Sequence, residues 1–159
     1  MKISKTNAMR EIEKAGISYQ AHVYDHGDGA IDGVSVAHKL GQNPDQVFKT
    51  LVTQATSKQY YVFVIPVAKE LNLKAAARAV GEKAVEMIPV KEINKVTGYI
   101  RGGCSPIGMK KKYPTVIDET ALGQESIMIS AGKIGMQIQV NPRDLISLIG
   151  ASTSHIAEG

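Results

Sequence analysis

The sequence predicts a single domain of the α/β (α+β) class over residues 1–159, for three reasons. A chain of 159 residues, 43% of them hydrophobic, is long enough to bury one sizeable core. Segments with helical periodicity alternate with short apolar runs that predict strands. Gaps of hairpin length at residues 55–59 and 131–134 favour a mixed sheet over a doubly wound parallel one.

The first predicted elements are a helix and a strand. Apolar residues recur at helical spacing over residues 5–15, with Ser4 or Thr6 as the candidate N-cap and Gly16 as the end. Residues 17–24 then predict a strand that leads into polar, glycine-rich sequence.

The next part of the chain predicts a loop, a short helix and a hairpin. Residues 26–33 form the glycine-rich loop, and the helix runs from Ser35 as its N-cap to Gly41. Strands are predicted at 47–54 and 60–68. Because both are apolar almost without interruption, we expect both of their faces to be covered.

From residue 72 onwards, the clearest patterns are residues that typically begin or end a helix. Asn72 caps a helix that ends at Gly81, and Pro89 lies in the first turn of a helix that ends at Gly98. The remaining predicted elements are strands at 114–118, 126–130 and 135–140 and a last helix that begins at Asn141, Pro142 and Asp144 and ends at Gly150.

Charge and composition narrow the class of partner. The net charge of +4 and the pI near 9.1 favour a polyanion. With no Trp and only two Phe, we do not expect a surface of aromatic stacking platforms like that of many single-strand binders. No apolar run approaches the roughly 18 residues of a membrane span, and the N-terminus lacks a signal-peptide core. One cysteine allows no intrachain disulfide, which agrees with a cytoplasmic protein. We expect neither a membrane nor DNA among its partners.

Lys49 is an unusual residue for its position. It lies in the segment VFKTLV (47–52), where apolar residues occupy both faces of the predicted strand. A lysine seldom lies at such a site without a partner. Two interpretations remain open: an edge strand from which the ammonium reaches water, or a cleft in which it binds a phosphate or an ester under attack.

The segment GGCSPIG (102–108) holds the single cysteine between glycines and a proline. Gly102 and Gly103 let main-chain N–H groups approach a ligand closely, and the proline stiffens the turn. Cys104 as a nucleophile would need a base, and no Cys-His signature is present, so a small buried thiol is favoured. A purely structural loop remains the alternative.

Three further segments give weaker signals. His22, Tyr24 and His26 share a face if their segment is extended, but the set is incomplete for zinc, so we predict no metal and a polar pocket rim instead. Taken alone, SAGKIG (130–135) predicts an ordinary hairpin. The lysines at 110–112, taken alone, predict a solvated basic loop.

Five segments together resemble the YbaK/EbsC family of aminoacyl-tRNA deacylases. They are KTNAMR (5–10), the Tyr24-Asp25-His26 run, FKTLV (48–52), TGYIRGGCSPIGMKK (97–111) and SAGKIG (130–135), and they follow one another over almost the whole chain. That family is related to the editing domain inserted in bacterial prolyl-tRNA synthetases. The resemblance therefore implies a partly closed β-barrel of mixed sheet, surrounded by helices.

The resemblance also implies a reaction, the trans-editing hydrolysis of Cys-tRNA(Pro) without a cofactor. Cysteine and proline are similar in volume, so a pocket built on apolar fit discriminates poorly and a second site must remove the error. In the family no protein nucleophile is required, because the substrate's own thiol attacks its ester carbonyl. The implied partners are the acceptor end of an aminoacyl-tRNA and, transiently, prolyl-tRNA synthetase.

Roles for individual residues follow from the same resemblance. Lys49 corresponds to the functional lysine, expected to orient the 3′-terminal adenosine. Gly103 is the second catalytic position, in a loop whose N–H groups stabilise an oxyanion. The expected substrate-binding residues are Tyr24, Thr50, Gly102, Ser105, Pro106, Gly108, Gly132 and Gln137, and the expected contacts to tRNA phosphates are Lys110, Lys111 and Lys112.

Two positions depart from the family pattern and keep alternatives open. Ile134 replaces an arginine, and Gln137 replaces an acidic residue while retaining hydrogen-bonding capacity. The chain could therefore act on another mischarged amino acid, or bind tRNA or a nucleotide as a regulator without turnover. A cysteine hydrolase that uses Cys104 is a third reading.

Overall fold

The computed structural model describes residues 5–159. Its helices are α1 (Asn7–Lys14), α2 (Gly33–Lys39), α3 (Leu73–Val80), α4 (Ile93–Thr97) and α5 (Pro142–Ile149). Its strands are β1 (Tyr19–Val23), β2 (Phe48–Ala55), β3 (Tyr60–Pro66), β4 (Glu70–Leu71), β5 (Val85–Met87), β6 (Thr115–Asp118), β7 (Ile127–Ser130), β8 (Met136–Val140), β9 (Ser152–Ser154) and β10 (Ala157–Glu158).

The sheets confirm the mixed α+β class. A five-stranded sheet has the order β5-β2-β3-β6-β9, in which β2 and β3 are antiparallel while β6 runs parallel to both β3 and β9. Strands β1, β8 and β7 form a three-stranded antiparallel sheet. A bridge between Val47 and Met128 connects the two sheets, so together they curve into the partly closed barrel.

Both faces of β3 are buried, as its apolar run predicts. Val62 and Val64 pack into one hydrophobic cluster, while Phe63 and Ile65 pack into a second cluster on the other face. All four are fully buried. Burial of each such side chain stabilises the fold by about 1.5–3 kcal/mol, so this hairpin is a rigid support for whatever its partner strand carries.

Local sequence signals set most helix ends. The side chain of Thr6 accepts a hydrogen bond from the N–H of Met9 and caps α1, whereas Ser4 lies outside the described residues. Asn72 and Asn141 cap α3 and α5 as predicted. Gly81, Gly98 and Gly150 end their helices with positive φ, a conformation that glycine adopts without strain.

Several boundaries differ from the prediction. The cap of α2 is Asp32 and not Ser35, because the Asp32 carboxylate accepts bonds from the N–H and the hydroxyl of Ser35. Pro89 precedes a 3₁₀ turn at Val90–Glu92 that leads into α4, so it is not in the first α-helical turn. The sequence also gave no sign of the short strands β4, β5, β9 and β10.

Within residues 5–159, no helix combines the length and the apolar character needed to cross a membrane.

Candidate active site

The candidate site lies where, among residues 5–159, one edge of β2 has no neighbouring strand. Val47 accepts a hydrogen bond from Val67, which places the odd-numbered residues of β2 in the pairs that bond to β3. The main-chain groups of even-numbered residues therefore point the other way. On that side, the carbonyl of Val52 accepts a hydrogen bond from the N–H of Ile88. Thr50 lies between two paired regions, the bridge of Val47 to Met128 and the ladder between β2 and β5 that begins at Thr53. Its N–H and C=O face an opening in the barrel.

A cavity of about 130 Å³ occupies this opening. Its polar lining consists of Tyr24, Lys49, Thr50, Ser130, Gln137 and the main chain of Gly102. Its apolar wall includes Val36, Val47, Phe48, Val67, Ile129 and Met136. The cavity is slightly smaller than one of about 150 Å³ that holds benzene, so it accommodates a small side chain and not a whole nucleotide.

Lys49 reaches this cavity from the middle of the open edge. The residue is half-buried, and burial lowers the pKa of its ammonium while the charge of Glu70 acts in the opposite direction. In the described part of the chain, no carboxylate oxygen lies within 4.0 Å of its Nζ. The structure therefore favours the cleft over the solvent-facing edge, because Lys49 and Gly102 border the same cavity.

Thr50 and Gln137 add polar groups to the cavity. The Oγ1 atom of Thr50 is buried and has no hydrogen-bond partner within residues 5–159. A buried hydroxyl without a partner is costly, so a ligand that bonds to it would gain affinity. Gln137 is almost fully buried on β8, where its Oε1 accepts a bond of 2.8 Å from Nε2 of Gln42.

The loop 26–33 closes one side of the cavity through Ile31. Lys39 holds this loop in place, because its Nζ donates to the carbonyl oxygens of Asp25 and Ala30 and to a carboxylate oxygen of Asp28. The loop predicted as a polar pocket rim is thus tied to α2. The side chain that this loop places at the cavity wall is nevertheless apolar, because it is that of Ile31.

The glycines of the 102–108 loop have different surroundings. Gly102 has a φ of +85° and lines the cavity together with Cys104. Gly103 is buried behind the wall, where an added Cβ would lie 3.0 Å from the main-chain N of Ile134. Its own N–H donates to the carbonyl of Ile100 at 3.0 Å. The residues of this loop that line the cavity are therefore Gly102 and Cys104, while the N–H of Gly103 is already bonded within the loop.

Four other expected binding residues do not line the cavity at β2. Ser105 is fully buried, and its Oγ accepts from the N–H of Ile107. Gly108 and Gly132 both pack against Tyr99, whose hydroxyl donates to the carbonyl of Ile107 at 2.6 Å. The fourth, Pro106, lines a separate cavity of about 270 Å³. Of the expected binding residues, the cavity at β2 brings together Tyr24, Thr50, Gly102 and Gln137 with Lys49.

The side chains of the lysines at 110–112 lie in two different places. Nζ of Lys110 donates to the carbonyl of Lys95 near the end of α4 at 3.2 Å. Lys111 and Lys112 line the separate cavity of about 270 Å³ with Pro106 and Gly108. These two lysines therefore lie behind the loop whose other side faces the cavity at β2.

The thiol of Cys104 stays protonated at neutral pH. Burial raises the pKa of its thiol to about 11, against the weaker opposing effect of a hydrogen bond to Thr97. The thiolate is the nucleophilic form, so almost no nucleophile is present at neutral pH. The structure agrees with the small buried thiol favoured by the sequence.

Sequence reasoning missed two residues of this site. Tyr99 lies inside the quoted TGY segment, yet its contacts with Gly108, Gly132 and the carbonyl of Ile107 are ones that the sequence does not show. Gln42 follows α2 in an unremarkable polar stretch and meets Gln137 from 95 residues away. No local pattern could have identified that pair.

Comparisons with known proteins agree with the resemblance. The sequence profile described as "Aminoacyl-tRNA editing domain" matches residues 31–148. A curated relative from Enterococcus faecalis, named "Putative Cys-tRNA(Pro)/Cys-tRNA(Cys) deacylase EbsC", is 44% identical over 152 residues, which cover 96% of this chain and 93% of the relative.

Solved structures share the fold. One described as "Crystal structure of a putative trans-editing enzyme for prolyl tRNA synthetase" superposes with a TM-score of 0.83 at 24% identity and covers 98% of this chain and 100% of its own. A crystal structure of a hypothetical protein gives a TM-score of 0.86 at 23% identity over 94% and 97% of the two chains. From the profile match and the close curated relative, the chain belongs to the aminoacyl-tRNA editing-domain family.

Proposed function

We propose that this protein hydrolyses mischarged aminoacyl-tRNA in trans, with Cys-tRNA(Pro) as its substrate. One observation carries the proposal: Lys49, without an ion partner in residues 5–159, shares a small cavity with Gly102 and Cys104 of the glycine-rich loop. A positive charge beside a loop that can offer main-chain donors suits an ester whose oxygen gains negative charge. The name of the 44% identical relative supports this substrate class.

The size of the cavity fits the amino acid to be removed. At about 130 Å³ it accommodates the side chain of cysteine, and its apolar wall suits a thiol. The terminal adenosine then lies outside, along the open edge of β2, where Lys49 orients it and the main chain of Thr50 is free to bond to it.

The chemistry needs no nucleophile from the protein. With Cys104 held as a thiol, the sulfur of the substrate attacks its own ester carbonyl, so that a C–S bond forms and the C–O bond to the ribose breaks. The ribose oxygen leaves with the thiol proton, and water then opens the thiolactone to free cysteine. Gly102 and Cys104 N–H groups stabilise the oxyanion formed on the way, while Gly103 fixes their loop through its bond to Ile100.

Recognition of the tRNA body is a second part of the proposal. Lys111 and Lys112, on the far side of the loop, contact acceptor-stem phosphates, and Lys110 adds its charge from the end of α4. Contacts limited to the acceptor end discriminate poorly between tRNAs. A transient complex with prolyl-tRNA synthetase therefore supplies tRNA(Pro) selectivity.

The decisive experiment measures release of the amino acid from purified tRNAs. Cys-tRNA(Pro), Cys-tRNA(Cys), Ala-tRNA(Pro) and Ser-tRNA(Pro) are compared, since serine keeps the size of cysteine but lacks its thiol. We expect rapid hydrolysis of the two cysteinyl esters and slow hydrolysis of the others. Lys49→Met should lower kcat/KM by about 10²–10³-fold, whereas Lys83→Met, on an exposed lysine outside the cavity, should have no effect.

Two results would contradict the proposal. Equal activity of the Lys49→Met variant and the wild type would remove Lys49 from the site. Binding of these tRNAs without hydrolysis of any of them would support a regulator that has lost turnover, the reading that the uncharged Gln137 favours.

A further inference from the structure

The cavity at β2 has no anionic group in its lining. Its lining residues within the described chain include one cation, Lys49, and neither aspartate nor glutamate. An aminoacyl ester carries an α-amino group, which is a cation when protonated. Such a cation would meet Lys49 and find no counter-ion, so the cavity disfavours the protonated form of the amine.

The side chain of Gln137 has a defined orientation. Its Oε1 is occupied by the hydrogen bond from Nε2 of Gln42, and its Nε2 has no protein partner among residues 5–159. Because Gln137 lines the cavity, its N–H groups are the ones available to a ligand. These donors attract a lone pair and repel an ammonium.

The opposite orientation of the two amides is less stable. In the present arrangement the atom left buried without a partner is Oε1 of Gln42. If both amides turned over, Nε2 of Gln42 would occupy that position with its hydrogens unpaired. A buried N–H without a partner is rarer and costlier than a carbonyl oxygen without one, so Gln42 holds the donor side of Gln137 toward the cavity.

The other titratable groups around the cavity do not change this balance. Cys104 lines it as a thiol whose pKa burial raises to about 11, and His22, opposite Gln137 on β1, has its Nε2 2.7 Å from Oε1 of Gln139. Glu70 acts on Lys49 without lining the cavity, and the carboxylate of Asp32 is bonded to Ser35.

We propose that the cavity binds the α-amino group of its aminoacyl substrate in the neutral form, and that Gln137, positioned by Gln42, makes this selection. The inference rests on the proposed function for the identity of the ligand. The neutral amine accepts a hydrogen bond from Nε2 of Gln137. The cavity therefore takes aminoacyl groups with an uncharged amine and also accepts analogues that lack the amine.

Two analogues that cannot be hydrolysed provide the test. The first is 3′-(cysteinylamino)-3′-deoxyadenosine, and the second is the matched 3-mercaptopropanoyl compound, which keeps the thiol and lacks the amine. Binding is measured by calorimetry at about pH 6 and about pH 8. With an α-amino pKa of about 7.8, the neutral fraction rises about 40-fold between these values, while a thiol pKa near 8.5 leaves both compounds mainly protonated on sulfur.

For the wild type we expect affinity for the cysteinyl analogue to be about 40-fold weaker at pH 6, and affinity for the mercaptopropanoyl analogue to be the same at both pH values. The ratio of the two affinities cancels any titration of Lys49. Gln137→Glu supplies the missing anion, so it should reverse the preference and bind the cysteinyl analogue more tightly at pH 6. Gln42→Met leaves the lining unchanged and should shrink the pH effect, because Gln137 is then free to turn.

The proposal is overturned if the wild type binds the cysteinyl analogue equally well at both pH values, if Gln137→Glu leaves the ratio unchanged, or if neither analogue binds. These readouts do not depend on turnover. Hydrolysis of Cys-tRNA(Pro) without the pH effect would refute only this selection. The pH effect without hydrolysis of any tRNA would refute the deacylase function and support the selection.

Discussion

Replacement of Asp118 should destabilise the fold and leave catalysis per folded molecule unchanged. This carboxylate is fully buried at the end of β6 and accepts four hydrogen bonds. Two come from the main-chain N–H groups of Ile156 and Ala157, which join the C-terminal segment to the barrel. The other two come from Thr120. None of these residues lines the cavity at β2.

The size of the effect follows from these bonds. Asp118→Ala leaves the N–H groups of Ile156 and Ala157 unsatisfied, at about 1–3 kcal/mol each, so about 2–6 kcal/mol of unfolding free energy is lost. For a chain of this length each kcal/mol lowers Tm by about 2–4 °C. Asp118→Asn keeps one acceptor and should lose less. Urea unfolding and calorimetry measure both, and a Tm for the alanine variant within about 2 °C of the wild type would refute the reasoning.

The same carboxylate should make stability depend on pH. Burial by itself would raise the pKa of Asp118, but the hydrogen bonds from Thr120, Ile156 and Ala157 outweigh it and lower the pKa. The ionised form therefore stabilises the fold above the unfolded pKa of about 3.9, and this contribution is lost as the pH falls through the folded pKa. The stability difference between wild type and Asp118→Asn should be constant above about pH 5 and shrink below about pH 4. A difference that grows on acidification would contradict the assigned direction.

Three further predictions concern the site. Cys104→Ala should keep deacylation within about threefold of wild type, and alkylation of the wild-type thiol should be slow at pH 7, because the pKa of about 11 keeps it protonated; loss of activity would restore the cysteine hydrolase. Gly33→Ala should disturb the cavity wall, since its Cβ would lie 2.1 Å from Cγ1 of Val67. Adding Val67→Ala should recover part of the lost activity and stability, and an additive double variant would argue against this contact. Replacing Lys111 and Lys112 by alanine should weaken tRNA binding and reduce the slope of log affinity against log salt by about 1–2, as filter binding would show; an unchanged slope would remove them from the phosphate contacts.

Much of the fold could be predicted from local signals. The caps at Asn72 and Asn141 and the terminal glycines at Gly81 and Gly150 work through atoms within one helical turn, so they are visible in a short window of sequence. The prediction of Ser35 as the cap of α2 is wrong because Asp32 and Ser35 are both good capping residues. Asp32 is the cap, since its carboxylate accepts hydrogen bonds from the N–H and the hydroxyl of Ser35. Strands as short as β9 and β10 pair with strands distant along the chain and are too short to show an alternating apolar pattern, so the sequence does not predict them.

For the site, the sequence by itself determined the candidates, a lysine in an apolar strand and a glycine-rich loop, and a family resemblance that the comparisons confirm. Only the tertiary structure decided how they meet. It placed Lys49 and Gly102 around one cavity, bonded the N–H of Gly103 to Ile100, and set Gln42 against Gln137. The reason is physical: local spacing acts over a few residues. The cavity instead exists because, within residues 5–159, one stretch of β2 is unpaired between strands that come from distant segments.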